Sequence, residues 1–550
     1  MDPNAEDGPP RAEVVEVDVD LGQPEQPSQF LPIQPPLSSS IFRTALERPQ
    51  PLPSTPPAES ANAPPRSPLS PEEEQQLHEE TFQRKLRGEY EAAQTRLGEV
   101  VTSNLDRPLR LTAIRLSPQP PTTRPSFLTS LLSPFLAPPS PHTPTWLHPA
   151  PPPPESLHDI LRTTRALVAH LDRFGIFDMD RAGVRLAPVR GGDEDEVELL
   201  LALRERGRLF LKAGTEVGGG EGGGNVTARI RNALGGGEAV ELNASIGTKT
   251  KSAYQASITT PLFGSPLLSF ALSGFSFDRD NTAFASHHEN AQGARAKLSA
   301  IAPWGTHDLT YEYVRRDITH LAPNASVSVR EHAHPSTKAS VIHTWTSDTR
   351  DDPWTGTSGR LLKLANEYAG LPGSSDLVHF FKSTLHSHTS RALFQGSNIH
   401  YSISSLTTLL FPLSRGATEL PDRTYVGGPN SLRGWKVGGV GLRDGVDSLG
   451  GDLSWAMGLS LFAPIPKKEH WPLKIHSFLN VGKVVGYQQD KSFAENVSRM
   501  YRSPNLSVGL GLMYRLEPIR VELNFTMPLV ARRGERLARG LGVGLGIEFL

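Results

Sequence analysis

The chain has 550 residues, a formal net charge of −2 and 37% hydrophobic residues. The near-neutral charge excludes a global attraction to nucleic acid, so we expect no nucleic-acid partner. The chain contains no cysteine, which excludes disulfide scaffolds, thiolate metal sites and cysteine nucleophiles.

Residues 1–75 are dense in Pro, Ser, Glu and Gln. Such a segment buries too little apolar surface to offset the entropy of the chain, so we predict a disordered proline-rich extension. The first residues show no basic region followed by an apolar one, and we therefore expect no secretory signal. Residues 76–104 predict a helical linker, because their apolar residues fall on one helical face.

Residues 105–207 predict a small α+β domain. Its hydrophobic periodicity gives the order strand, helix, helix, strand, strand. The five predicted elements are Leu109–Leu116, Phe127–Leu136, Glu155–Phe174, Arg181–Ala187 and Glu196–Leu203. A proline tract, Pro138–Pro154, separates the two helices and is expected at the surface. The exposed edge near Arg181–Ala187 suits a substrate or a partner subunit, and a plain spacer is the alternative.

From residue 208 to residue 550 the sequence is a succession of short alternating segments separated by Gly, Asn, Asp and Pro turns. One segment reads Val521, Glu522, Leu523, Asn524, Phe525, Thr526, Met527. Alternation with a period of two gives each strand one apolar and one polar face. A soluble sandwich has the same local pattern.

Three features favour a membrane barrel over a sandwich. No helical segment interrupts the run, the polar faces are rich in Gly, Ser, Asn and Thr, and the chain ends on a strand, as closure against the first strand requires. No stretch reaches about 18 consecutive apolar residues, so no transmembrane helix is expected. We predict an all-β transmembrane barrel of about 16 antiparallel strands, preceded by the α+β domain.

Four stretches of the barrel region form an ordered set of motifs. They are Val426–Trp435, Phe478–Gly482, Ser507–Tyr514 with Arg520–Phe525, and Gly546–Leu550. In this order they resemble the outer-membrane protein-assembly superfamily. Its members include the bacterial barrel-assembly factor, the chloroplast import channel and the mitochondrial sorting-and-assembly core subunit. The element order of residues 105–207 is similar to one polypeptide-transport-associated (POTRA) domain of that family.

The resemblance implies the mitochondrial branch, of the fungal type. Bacterial members usually carry a signal peptide and several POTRA domains, whereas this sequence predicts one such domain and no signal. The implied location is the mitochondrial outer membrane, with the POTRA-like domain on the intermembrane-space side. The implied function is the insertion and folding of β-barrel precursors such as porins, in contact with lipid and with accessory subunits of an assembly complex.

The resemblance also assigns two motifs that meet inside the barrel. In the family, a long loop folds back into the lumen and its arginine contacts a strand motif. The loop residues here are Leu432, Arg433, Gly434 and Trp435. The matching strand residues are Phe478, Asn480 and Gly482. Since the family commonly has Asp at the position of Asn480, the carboxylate partner of Arg433 is left open among Glu522, Asp452 and Glu548.

A lateral seam between the first and last barrel strands is the third implied site. The two strands are predicted at Arg208–Val217 and Arg539–Leu550. The residues assigned to the first strand are Leu209, Leu211, Ala213 and Thr215. Those assigned to the last strand are Gly542, Val543, Gly544, Leu545, Gly546, Ile547 and Phe549. Their glycines either weaken the strand at the seam or admit a bulky loop into the lumen.

Enzyme motifs are missing from the sequence. There is no phosphate-binding loop, no zinc-protease motif and no nucleophile elbow. We therefore expect no enzymatic activity, no metal, no cofactor and no small-molecule substrate. The alternative function is a protein-translocating or passive outer-membrane pore, although a passive pore has no use for the POTRA-like domain or for the Arg433 loop.

Overall fold

The computed structural model describes residues 92, 95–136, 146–147, 154–218, 221–352, 357–370, 378–394, 397–414, 418–468, 471–516 and 519–546. The predicted extension, 1–75, and most of the predicted linker, 76–104, lie outside these residues. Residues 95–103 of the linker are helical. Among the helices of the described ranges, none is long and apolar enough to span a membrane.

The chain divides into two compact units between Arg206 and Gly207, beside the predicted boundary. The smaller unit has its elements in the predicted order. They are β1 (Arg110–Leu116), α1 (Pro125–Leu132), α2 (Leu157–Asp172), β2 (Gly183–Pro188) and β3 (Glu196–Ala202). The sheet order is β1-β3-β2, with β1 parallel and β2 antiparallel to β3. Its identification as a POTRA domain stays a prediction.

The core of the smaller unit lies between its helices and one face of its sheet. Leu131 of α1 and Leu167 of α2 are buried against Leu199 and Leu201 of β3. Ser156 precedes the helix α2 as its cap, and its side chain accepts a hydrogen bond from the backbone N–H of Asp159. This cap satisfies one of the backbone donors left free at a helix start.

The larger unit contains one continuous sheet of 16 antiparallel strands, which confirms the predicted barrel fold. The strands are β4 (Leu209–Gly218), β5 (Glu221–Ile230), β6 (Ala239–Gly247), β7 (Thr250–Leu262), β8 (Ser265–Asp280), β9 (His288–Ala302), β10 (Gly305–Thr319), β11 (Ser336–Asp348), β12 (Gly359–Ala369), β13 (Phe380–Ala392), β14 (His400–Pro412), β17 (Leu453–Pro464), β18 (Leu473–Val485), β19 (Asn505–Leu516), β20 (Ile519–Val530) and β21 (Gly540–Gly546). A two-stranded hairpin, β15 (Leu442–Asp444) and β16 (Asp447–Gly450), and two short helices, α3 (Val327–Glu331) and α4 (Phe493–Tyr501), lie in the connections.

The two faces of the sheet differ as the alternation predicts. On β20, Leu523 and Phe525 are exposed, whereas Glu522 and Asn524, which alternate with them, are buried. The apolar side chains therefore point outward, where a bilayer would cover them. The polar side chains point inward.

Strand length varies around the sheet. The strands β8, β9 and β10 have 16, 15 and 15 residues. The strands β4, β5 and β6 have 10, 10 and 9 residues. The wall is therefore shorter beside the first strand than at β8–β10.

The sheet curls so that its two ends meet. Cα atoms of β21 lie within 8 Å of Cα atoms of β4. No ladder joins β4 and β21 between their described residues, and both strands stand at the ends of the hydrogen-bonded order. Over its described residues, each of these strands thus has one edge without a neighbour in the sheet.

Candidate lumen lock and lateral seam

The connection between β14 and β17 is a long loop whose described part, residues 418–452, is here termed the lumen loop. It begins with a 3-10 turn, Leu420–Asp422, and contains the hairpin β15–β16. Its side chains contact the inward-facing residues of β18, β19 and β20 as described below. The loop is followed by five strands of the sheet, which is the position predicted for the motif.

Arg433 of the lumen loop is buried, with 2% of its surface exposed. Its Nη2 donates to Glu522 Oε2 at 2.9 Å and its Nη1 donates to Asn480 Oδ1 at 3.3 Å. The guanidinium lies over the ring of Phe478, 4.7 Å from its centroid. The hydroxyl of Ser507 donates to the Arg433 carbonyl oxygen at 2.6 Å. Arg433 thus contacts three adjacent strands of the inner wall.

The sequence left open which carboxylate pairs with Arg433. In the structure Arg433 contacts both the amide of Asn480 and a carboxylate. The contact with Asn480 is a hydrogen bond, and the carboxylate that pairs with Arg433 is Glu522. Asp452, another candidate, accepts hydrogen bonds from Thr418 and from the backbone N–H of Tyr487. Glu548, the third, lies outside the described residues. Arg433 therefore makes a hydrogen bond to Asn480 and an ion pair with Glu522.

Glu522 is fully buried and is the centre of a charged cluster. Besides Arg433, it pairs with Arg520, and it accepts a hydrogen bond from Asn524 Nδ2 at 2.7 Å. A buried carboxylate requires such partners because removal from water is costly. In the β20–β21 ladder Glu522 is opposite Gly544. The lock between loop and wall is therefore one strand away from the seam.

Gly434 and Trp435 seat the loop against the wall. Gly434 has φ +96°, and a Cβ there would lie 3.2 Å from Pro528 Cγ and from Thr526 Cγ2. Glycine therefore fits both the left-handed backbone and the narrow space. Trp435 and Leu432 are buried in one apolar cluster of the lumen loop and the wall. Its other buried members are Val426, Val440, Ala456 and Val484.

The three residues of the strand motif share the inner face of β18. Phe478 and Asn480 are buried beneath Arg433. Gly482 is opposite Ala456 in the β17–β18 ladder, and a Cβ at Gly482 would lie 2.8 Å from the carbonyl oxygen of Trp455. The glycine thus permits close packing of the wall, whereas Phe478 and Asn480 make the contact with the loop.

A second anchor of the lumen loop was not predicted. Asp422 accepts two hydrogen bonds from Arg316 of β10, at 2.6 and 2.9 Å, and both residues are buried. Lys338 and Lys382 lie beside this pair, and Lys382 Nζ donates to the Asp422 carbonyl oxygen at 2.9 Å. The sequence contains one signal for this anchor. Side chains alternate between the two faces of a strand, so Arg316 lies on the face opposite to the exposed Tyr311 and Tyr313, which is the inner face.

The hairpin of the lumen loop is also tied to neighbouring loops. Asp447 accepts hydrogen bonds from the backbone N–H groups of Ser286 and Ser326, at 2.8 and 2.7 Å, and from the Ser286 hydroxyl. Burial raises the pKa of Asp447, but these donors outweigh burial and lower its pKa overall. The carboxylate therefore stays charged in this position at neutral pH.

The seam residues of the first strand lie on β4, which begins one residue later than predicted. Leu209, Leu211, Ala213 and Thr215 are all exposed, with 63% of Leu211 accessible. On β21, Leu541 and Val543 are 73% and 55% exposed. Gly542, Gly544, Leu545 and Gly546 belong to the same strand. Ile547 and Phe549 lie outside the described residues.

The glycines of the last strand were interpreted either as weakening that strand or as making room for a bulky loop in the lumen. The surroundings of Gly542 distinguish these two interpretations. The nearest atom to a Cβ placed at Gly542 is the Asn524 carbonyl oxygen, at 3.9 Å. In the described part of the chain, no loop presses on the strand at this point. The result favours a strand with weak side-chain packing over a strand that makes room for a bulky loop.

The Omp85 superfamily domain matches residues 232–549. A SAM50-like protein of Schizosaccharomyces pombe is 31% identical over 459 residues, which cover 82% of this chain and 94% of the relative. The sorting and assembly machinery component 50 homologs of Bos taurus and Homo sapiens are 29% identical over 405 residues, covering 72% of this chain and 84% of each relative. These similarities confirm the family indicated by the motifs.

A solved structure shows a similar fold. It is the crystal structure of BamA from Haemophilus ducreyi lacking POTRA domains 1–3, with a TM-score of 0.65 and 17% sequence identity. The superposition covers 80% of this chain and 84% of that chain.

Proposed function

This chain belongs to the Omp85 superfamily, and on that premise we propose that it inserts and folds β-barrel precursors through a seam between β4 and β21. The observation that carries the proposal is that β4 and β21 are not paired with each other over their described residues, whereas every other pair of neighbouring strands in the sheet is hydrogen-bonded. The similarity to sorting and assembly machinery proteins supports the general role in β-barrel assembly. The protein is located in the mitochondrial outer membrane.

The physical argument concerns the backbone of an incoming precursor. An unfolded β-strand carries unpaired N–H and C=O groups, and each costs several kcal/mol in a lipid environment. The edges of β4 and β21 offer partners for these groups by β-augmentation. The side-chain alternation of the wall then selects a register in which apolar residues face lipid.

The lumen loop is expected to hold the seam side of the wall in place. Arg433 pairs with Glu522 on β20, the strand that carries β21. A precursor that pairs with β21 acts on a strand next to this lock. We therefore assign to the loop the role of stabilising the closed wall between insertion events.

The proposal also covers the side of the membrane on which the smaller unit lies and the partners of the protein. Because the sheet has an even number of strands, the chain enters and leaves it on the same side of the membrane. We propose that this side is the intermembrane space, that the smaller unit is a POTRA domain there, and that accessory subunits complete the assembly complex. We propose no enzymatic step.

Single cysteines provide the test, since the chain has none of its own. A cysteine replaces Leu211 on β4 or Val543 on β21, and the precursor is a mitochondrial porin with one cysteine in its final strand. A cysteine at the exposed Leu385 of β13 is the matched control, because that strand is paired on both sides. We expect disulfides at fixed register from Leu211→Cys and Val543→Cys and none from Leu385→Cys.

Two results contradict the proposal. If folded, membrane-embedded protein forms no disulfide at either seam position, the insertion mechanism fails and a passive pore accounts better for the fold. If the seam positions react equally well with an extended presequence, protein translocation is the better description. A scrambled final strand in the precursor is expected to abolish the reaction.

A further inference from the structure

The lumen loop is hydrogen-bonded to the connection that leads into the last strand. Ala538 N donates to the Gly434 carbonyl oxygen at 2.8 Å, and Lys436 N donates to the Arg536 carbonyl oxygen at 3.0 Å. Arg536 N donates in turn to the Gly439 carbonyl oxygen at 3.1 Å. Residues 434–439 and 535–538 thus form a short backbone strip, here termed the latch strip.

Glu535 reinforces the latch strip with its side chain. Its Oε2 accepts a hydrogen bond from Trp435 Nε1 at 3.0 Å. Its Oε1 accepts one from Asn505 Nδ2 at 2.8 Å, and its Oε2 also accepts from Arg532 N at 3.2 Å. One carboxylate therefore joins the lumen loop, the first residue of β19 and the turn after β20. Both Trp435 and Asn505 are buried.

The latch strip lies directly before the last strand of the sheet. Ala538 precedes the first residue of β21, Gly540, by two positions. The same lumen loop is fixed to the wall at β10 through Asp422 and Arg316. The loop thus connects a strand in the first half of the sheet with the start of the strand that forms the seam.

We propose that the latch strip couples the lumen loop to the seam, so that seating the loop fixes the start of β21 and withdrawing the loop releases it. The inference rests on the proposed function, in which β21 must part from its surroundings to receive a precursor. Glu535 is a positioning residue in this device. It acts through Trp435 and has no direct contact with a precursor strand in the proposal.

Hydrogen exchange of the full chain in lipid nanodiscs, without any precursor, tests the coupling. The readout is the exchange of peptides that cover residues 540–546, with peptides of β12 as the internal reference. We expect Glu535→Ala to raise exchange of β21 about tenfold, the size expected for losing a hydrogen bond to a charged acceptor. We expect β12 to be unchanged.

Two milder variants keep the test decisive if Glu535→Ala folds poorly. Trp435→Phe retains most of the ring but removes the Nε1 donor, and we expect it also to raise exchange of β21. Glu535→Gln retains an acceptor oxygen and is expected to restore most of the protection. The double variant with Trp435→Phe and Glu535→Ala should exchange no faster than Glu535→Ala, because both changes remove the same hydrogen bond.

Asp447→Asn is the matched control within the same loop. It weakens the bonds to Ser286 and Ser326 but leaves the latch strip intact. We expect its effect on β21 exchange to be clearly smaller than that of Glu535→Ala. If none of the Glu535 and Trp435 variants raises exchange of β21 above that of Asp447→Asn, the coupling through the latch strip is refuted.

The proposed function is tested separately with Val543→Cys and the porin precursor. If the latch variants loosen β21 but no disulfide with the precursor forms, the coupling stands and the insertion function falls. If disulfides form in the unmodified latch but β21 exchange is insensitive to Glu535 and Trp435, the insertion function stands and the coupling falls.

Discussion

In the buried cluster at Glu522, one carboxylate pairs with two guanidinium groups. Arg433 reaches it from the lumen loop and Arg520 from the same strand. Both arginines therefore pair with the same buried carboxylate. The removal of that charge weakens the pairing of two buried cations at once, which is more costly than the loss of one exposed ion pair.

We expect Glu522→Gln to lower the free energy of unfolding of the barrel by about 3–5 kcal/mol, the range for breaking a buried pair. Urea titration in detergent micelles, followed by tryptophan fluorescence, measures the change. Asp452→Asn is the control, because Asp452 accepts from the hydroxyl of Thr418 and the backbone of Tyr487. Its loss should be smaller, and equal losses would mean that charge pairing at Glu522 adds nothing.

Glu205, in the smaller unit, makes a pH-dependent contribution. Burial raises its pKa, but the hydroxyl and backbone donors of Thr122 and Thr123 outweigh burial and lower the pKa below its usual value of 4.5. A lowered folded-state pKa gives stability that is complete above the unfolded-state pKa and is lost as the pH falls through the folded-state value.

We therefore expect the amides of Thr122 and Thr123 to be better protected from exchange than in Glu205→Gln at neutral pH. The difference should persist down to about pH 5 and disappear under more acidic conditions. Hydrogen exchange of this segment at several pH values measures it. A difference that is the same at all pH values would show that the charge of Glu205 is irrelevant.

The residues of the lock were only partly predictable. The motif gave Arg433 and the strand motif, and the sequence left Glu522 as one of three carboxylates. Asp422 and Arg316 were missed because they are separated by 106 positions and belong to no shared motif. Alternation places Arg316 on the inner face but does not say which loop residue lies opposite.

At the scale of elements, β21 has glycines on its inner face that no neighbouring atom crowds. We expect Gly542→Ala to stabilise β21 by about 0.4–1 kcal/mol, because alanine loses less chain entropy and its Cβ fits. Slower hydrogen exchange of residues 540–546 and slower disulfide formation with a precursor are the expected results.

The contrasting variant for this prediction is Gly509→Ala on β19. A Cβ at Gly509 would lie 2.6 Å from the carbonyl oxygen of Phe525, so this substitution should destabilise the wall. If both substitutions have the same effect on stability, local crowding does not distinguish the two glycines.

Sequence patterns predicted the elements better than their ends. Alternation fixes the face of each residue, and β4 accordingly kept its predicted faces while its bounds moved by one residue, from Arg208–Val217 to Leu209–Gly218. The predicted helix Phe127–Leu136 ends at Leu132, followed by a 3-10 turn. Pro134 explains this end, because proline lacks the N–H that an α-helix requires.

At the scale of the whole molecule, the seam should be the least stable part of the sheet. Amides on the unmatched edges of β4 and β21 have no ladder partner among the described residues, whereas β12 is paired on both sides. We expect β4 and β21 to exchange fastest among the strands in nanodiscs. Uniform exchange around the barrel would argue for a closed seam.

The global fold followed from the sequence because it repeats one simple pattern. Each strand carries its own alternation, so the approximate number of strands could be predicted without knowing any contact, and the resemblance to the family gave the position of the lumen loop. The latch strip and the loop anchors could not, since they depend on which loops meet when the sheet curls. Such contacts form only when the sheet closes into a barrel, and no periodic pattern in the sequence indicates them.

The unequal strand lengths have a consequence for the surrounding lipid. At about 3.3 Å per residue and a tilt near 40°, a strand of β6 length covers about 23 Å of membrane depth and one of β8 length about 40 Å. From these lengths we expect a bilayer that matches the wall to be thinner beside the first strands than at β8–β10, at a modest elastic penalty. A polar hairpin turn has a shorter hydrocarbon distance to cross at that point, so the shape of the wall itself selects where the bilayer is easiest to penetrate.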